Sequence, residues 1–143
     1  MAALTAPREL EYHGEQEQIS PKVAASDTYY KGAILIGASG YAAAPSDAAN
    51  AAVLGIVTGV YEGGVRDDAL VCGASDTPRA ILNRGLVWVP VSGCAITDVD
   101  VIHYVLDDAT MTKTAGSKTV GYRALDFKTG YLLFDFRCPD RIA

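Results

Sequence analysis

The sequence predicts a mainly β fold, a sandwich or small barrel with little helix and an extended N-terminal arm. Three observations carry this. Strand-like apolar runs recur at Tyr29–Ile36, Val53–Val60, Leu70–Cys72, Ala80–Val91, His103–Leu106, Thr119–Leu125 and Tyr131–Phe136. Gly, Asn, Asp and Pro separate them at hairpin-like intervals, the texture of antiparallel sheets. Helix signals are weak, and the 143 residues are one domain's worth of chain. A chain of that length buries roughly 70% of the surface it exposes when unfolded.

Residues 1–21 read as the arm and 22–143 as a β-rich domain. The arm carries Glu9, Glu11, Glu15 and Glu17 among few aliphatic residues, with Pro7 and Pro21 in it. It therefore lacks the means to pack a core. Leu10 and Tyr12 alternate with Glu9 and Glu11, which favours an extended conformation. Such an arm is either a disordered terminus or a segment that orders on a neighbour by strand addition, with Leu10, Tyr12 and Ile19 as anchors.

In the domain, Tyr30–Ile36 is the first strand. Gly37-Ala38-Ser39-Gly40 turns the chain into Tyr41-Ala42-Ala43. An Ala/Pro/Ser/Asp spacer containing Pro45 follows, and its stretch Ser46–Ala52 is too short to stand alone as a helix. Val53–Val60 holds Gly55 and Gly59, which inside a strand mark a bulge, a bend or a close backbone approach. Gly85–Val91 is the most strand-like run. Alternation puts Leu86, Trp88 and Pro90 on one face and Val87, Val89 and Val91 on the other. Pro90 cannot donate to a ladder, which argues for an edge or a strand end. Trp88 reads equally as a core anchor and as a subunit-interface anchor. Thr97-Asp98-Val99-Asp100 has the form of a capping box and predicts one helical turn before the strand at His103. Asp107-Asp108 and Lys128-Thr129-Gly130 read as turns.

Composition removes several function classes. Half the residues are hydrophobic, a fifth are charged, and the formal net charge is -5. Basic residues are scattered singly, without the Lys/Arg clusters that neutralise phosphates, so no nucleic-acid partner is expected. No apolar run approaches the ~20 residues of a membrane span, and the N-terminal stretch has no apolar segment of a signal peptide. Cys72, Cys94 and Cys138 are an odd, widely spaced set. They are no disulfide framework and no zinc motif, and they suit a reducing compartment.

The sequence carries no clear catalytic or metal-binding constellation. Only His13 and His103 are present, and His103 has Asp98, Asp100, Asp107 and Asp108 near it in sequence. A metal or acid/base site there would need several convergent ligands, and these acids flank a strand and a turn. The serines beside glycines at 39 and 75 do not form a nucleophile elbow. The glycines at 55, 59, 63 and 64 match neither phosphate-binding pattern. No catalytic residue, metal or cofactor is expected.

Several motifs occur in a fixed order. First comes Ala24-Ala25-Ser26 with Thr28, Tyr30 and Gly32-Ala33, followed by Ser39-Gly40-Tyr41-Ala42 and Val53-Leu54-Gly55-Ile56-Val57. Next are Ile96-Thr97-Asp98-Val99-Asp100-Val101 and Tyr104-Val105-Leu106-Asp107-Asp108-Ala109-Thr110. Val120-Gly121-Tyr122-Arg123-Ala124 and Tyr131-Leu132-Leu133-Phe134 close the series. This order, from about Val23 to Phe136, resembles the head decoration, or capsid cement, proteins of tailed bacteriophages. The acidic arm and the insertion-like Glu62–Pro78 depart from the pattern. The resemblance implies a small β-barrel or β-tulip-like module with no enzymatic activity. It would be made in the host bacterial cytoplasm and carried on the outer surface of an icosahedral head. Its partners would be the major capsid protein, whose neighbouring subunits it bridges, and its own copies in a homotrimer. Leu10, Tyr12, Ile19, Tyr41, Pro45, Leu86, Trp88 and Pro90 are the expected interface residues. The alternatives are another virion part, such as a head–tail connector or tail protein, and a small hydrolase with a cryptic site.

Overall fold

Runs rich in Val, Ile, Leu and Tyr become strands, and every ladder between two strands is antiparallel. The computed structural model describes residues 4–23, 28–38, 40–45, 52–62, 65–67, 69–71, 78–116, 118 and 120–141. In chain order the strands are β1 (Glu11–Ile19), β2 (Thr28–Tyr30), β3 (Ile34–Ala38), β4 (Tyr41–Ala43), β5 (Val53–Glu62), β6 (Val65–Asp67) and β7 (Ala69–Val71). Then come β8 (Arg79–Pro90), a 3-10 turn (Ile96–Asp98), β9 (Ile102–Val105), β10 (Met111–Thr112), β11 (Val120–Arg123), β12 (Asp126–Lys128), β13 (Tyr131–Asp135) and β14 (Asp140–Arg141). The fold is mainly β, as expected, and among the described residues no helix is long and apolar enough to cross a membrane.

The largest sheet is organised around β8. Leu82 and Asn83 pair with both β5 and β1, and residues 86–88 pair with both β13 and β1. A strand has two edges, so β1 lines one edge of β8 while β5 and then β13 share the other. From β5 the sheet continues through β3 to β4, and from β13 it ends at β12. A second sheet runs β10-β9-β11-β14, and β2 pairs with β7.

Two cores follow from the strand alternation. Ile34, Ile36, Ile56, Val87, Val89, Leu132 and Phe134 of the large sheet face Val105, Met111, Val120 and Tyr122 of the second sheet. Packing one sheet on the other is what gives this fold its sandwich layer. The buried Tyr122 ring meets Phe136 edge-on, and its hydroxyl accepts a hydrogen bond from the Val53 amide at 2.7 Å. On the opposite face, Ala33, Leu35, Val57, Val60, Ala80 and Leu82 pack with Val23 and Tyr29.

Several expectations need correction. Residues 11–19 are extended, but their partner is the chain's own β8 and not a neighbour. Leu10 is buried in the larger core, so this segment does contribute to packing. The run Tyr29–Ile36 is two strands, because Lys31-Gly32 turns the chain. Gly32 has φ +86°, and a Cβ there would lie 2.5 Å from the Arg8 carbonyl oxygen. Glycine is needed for both reasons. Arg8 crosses at this point, its amide donating to Lys31 O at 2.9 Å and its Nε to Gly32 O at 3.0 Å. The single turn before His103 forms, but Asp98 is the residue that reaches back, accepting from the Ala95 amide at 2.9 Å. Asp100 lies beyond the turn with φ +69°. As expected, Gly59 sits at a register shift in the β5–β8 ladder. Most of the spacer at 46–52, Cys72 and the glycine–serine turn at 73–76 lie outside the described residues.

Candidate interaction face

Alternation along β8 sends Val87 and Val89 into the larger core and turns Leu86, Trp88 and Pro90 to the other face. Cross-strand partners share a face, so the register defines what surrounds them. Trp88 stands between Glu11 of β1 and Leu133 of β13, Leu86 between His13 and Asp135, and Pro90 beside Tyr131. None of Leu86, Trp88, Pro90, Tyr131 and Leu133 belongs to either core cluster. They make an apolar stripe on the sheet's other face, in which Trp88 and Leu133 are buried, Leu86 and Pro90 half-buried and Tyr131 exposed.

Charged groups cover that stripe. Lys128 reaches back from β12, and its Nζ lies 4.7 Å from the Trp88 ring centre and 5.1 Å from that of Tyr131. The same ammonium pairs with Glu11 Oε2 at 3.0 Å. Attraction of a cation to two aromatic faces, with the lysine stem lying on apolar surface, explains the cover. It leaves Trp88 only 8% exposed while Tyr131 is 39% exposed. At the end of the stripe Asp135 accepts two bonds from Arg137, each 2.9 Å. The guanidinium holds the Asp135 carboxyl below the usual carboxylate range.

The other expected interface residues are distributed elsewhere. Leu10 and Tyr12 turn toward the larger core, and burial, with Glu9 nearby, pushes the Tyr12 phenol up to about 12. Ile19 packs against the smaller core. Tyr41 is half-buried on β4, and Pro45 is buried at a cavity of about 240 Å³ that Leu4, Tyr30, Asp107 and Asp108 also line. Pro90 is the last residue of β8, the strand end its chemistry calls for, while Trp88 is paired on both sides. Sequence reasoning missed Glu11, Lys128 and Leu133. The signal for Leu133 was its two-residue spacing from Tyr131 on a strand. No sequence signal links Glu11 or Lys128 to Trp88.

A chain of "The capsid of Myoviridae Phage XM1" superposes on this one with a TM-score of 0.53 and 14% sequence identity, over 95% of this chain and 91% of that chain. At that identity the two share a fold. No protein-family model matches the chain, and no curated protein does.

The acids near His103 in sequence do not converge on it. Asp107 accepts from the Ala109 amide, Asp108 from the Leu4 amide, and Asp100 pairs with Arg123. Asp98 alone lines a cavity with His103, and there it is bound by Lys113 at 2.9 Å. Among the described residues no group of three His, Cys, Asp or Glu gathers as a metal site.

Proposed function

We propose that this chain is a structural protein of a tailed-bacteriophage virion, without enzymatic activity, that decorates the outer surface of the icosahedral head. It binds the major capsid protein, bridges neighbouring subunits, and acts as a homotrimer. The observation that carries this reading is the fold likeness to a chain of a phage capsid, which runs through nearly the whole of both chains. The ordered series of motifs from Val23 to Phe136 supports the decoration family in particular. The stripe beside Trp88 suits docking, because it joins the exposed Tyr131 and the part-exposed Leu86 and Pro90 to a charged rim.

The mechanism is linkage. A protein that binds only the expanded shell stabilises that state by mass action. Several contacts on one trimer then act together through effective concentration. Mixing the purified protein with unexpanded and expanded shells of its own phage tests the reading. Copies in the hundreds on the outside of expanded heads are expected in electron cryomicroscopy. Six or twelve copies at one vertex would make it a connector, and absence from the head would remove the decoration reading.

A further inference from the structure

The register lines up Asp126, Leu133, Trp88 and Glu11 in one row over β12, β13, β8 and β1, with Lys128, Tyr131 and Pro90 in the next row. Neighbouring strands lie about 4.8 Å apart, so β12 and β1 stand about 14 Å apart across the sheet. Lys128 and Glu11 therefore meet only by reaching toward each other, and they meet beside the Trp88 ring. What they close is a cation seat. The Trp88 and Tyr131 rings supply aromatic faces and Glu11 supplies a carboxylate, all within reach of the one ammonium. The cover is light. The side chains of Lys128 and Glu11 are 39% and 64% exposed, and ion pairs and cation–π contacts with that access to water are weak. A lysine held across two strands also gives up rotamer freedom that it regains on leaving. Lifting it uncovers the Trp88 face beneath its ammonium and leaves Glu11 without its partner. Asp126, in the same row, adds a second exposed carboxylate that has no ion pair among the described residues. The vacated seat is thus aromatic and acidic.

We infer that Trp88, Tyr131 and Glu11 form a receptor for one arginine of the shell protein, and that Lys128 is an internal stand-in which this arginine displaces on docking. The inference rests on the decoration reading above. The seat selects its occupant. It already holds a cation, and a guanidinium suits it better than an ammonium, because its plane stacks on aromatic faces and its fork binds a carboxylate through two bonds. An arginine presented from a facing surface need not cross the sheet to reach the seat. A carboxylate would be repelled by Glu11 and Asp126, and an aliphatic side chain would leave Glu11 covered and unpaired.

The test is binding of full-length protein to expanded shells, read by co-sedimentation. Lys128→Ala empties the seat and is expected to tighten binding about three- to fivefold, the factor by which a surface contact of this strength competes. Adding Glu11→Gln to that variant is expected to cancel the gain and to weaken binding about tenfold below wild type. Both positions are exposed enough for the fold to tolerate the changes. Shells treated with phenylglyoxal, which caps arginine, are expected to bind the alanine variant and the wild type equally. Shells with acetylated lysines are expected to keep the difference. Wild-type or weaker binding by Lys128→Ala overturns the receptor and leaves the decoration reading standing. A gain that survives phenylglyoxal overturns arginine as the occupant. Self-association of the alanine variant without shells also overturns it, and makes the occupant a second copy of the chain. Failure of the wild-type protein to bind any shell overturns both readings.

Discussion

Gly55 of β5 lies against the main chain of Asn83 on β8: a Cβ at position 55 would sit 2.7 Å from the Asn83 carbonyl oxygen and 3.0 Å from the Leu82 Cβ. The obstacle is backbone, which cannot rotate away. Gly55→Ala is expected to destabilise the fold by about 1–3 kcal/mol through overpacking. A fall in the urea midpoint at constant m-value checks it. An unchanged midpoint would mean that β5 and β8 separate freely.

Removing residues 1–19 should do more than trim a tail. It strips one edge of β8 of its pairing and takes Leu10 from the larger core. The milder change Leu10→Ala alone is expected to cost about 2–5 kcal/mol. Truncated protein is expected to lose its cooperative thermal transition or to aggregate. A truncated protein with wild-type melting temperature would show that β1 adds nothing to stability.

Trp88 is the sole tryptophan of the chain, and Lys128 covers it. Lys128→Ala should expose the indole, raising acrylamide quenching of its fluorescence. The stability change should be small, about 0.5–1 kcal/mol, because the cation–π contact is near the surface. Unaltered quenching would show that Leu133 and Glu11 shield the ring unaided.

Acid should weaken the fold through His103. Burial holds the imidazole below its ordinary value of 6.5, with the Val101 carbonyl offsetting only part of this. As pH falls through about 6.5 the unfolded chain takes up a proton that the folded chain refuses. Stability therefore drops, by at most about 1.4 kcal/mol per pH unit from this group, until the folded chain protonates too. Asp98 acts lower on the scale. The Ala95 amide, then Lys113, hold its carboxyl below 3.8, so its contribution is intact above that value and lost beneath it. Urea midpoints between pH 7.5 and 5 are expected to fall for the wild-type protein and to stay flatter for His103→Gln. Equal slopes would assign the effect to another group.

What the sequence made legible follows from how strands are encoded. β5, β8, β9, β11 and β13 are rich in branched and aromatic residues, and alternation on β8 identified the stripe at Leu86, Trp88 and Pro90 correctly as one face. β10, β12 and β14 are two or three residues long, too short for any period to show. β1 was obscured by its own composition. It buries no side chain fully along nine residues, and its apolar signature is confined to Tyr12 and Ile19 near its two ends. The cover on Trp88 was out of reach for a different reason: Glu11 and Lys128 come from two other strands, and only the register brings them over the ring.

The pairing of β1 with β8 also sets an order of events in time. Glu11 meets Trp88 and Ile19 meets Leu82, partners more than sixty positions apart. During synthesis the first strand leaves the ribosome long before its partner exists, and in refolding it must wait for a slow, non-local closure. A waiting strand of ordinary apolar sequence would invite pairing with other nascent chains. The glutamates of β1 keep that interval harmless, since two such strands repel one another until β8 arrives to claim one of them.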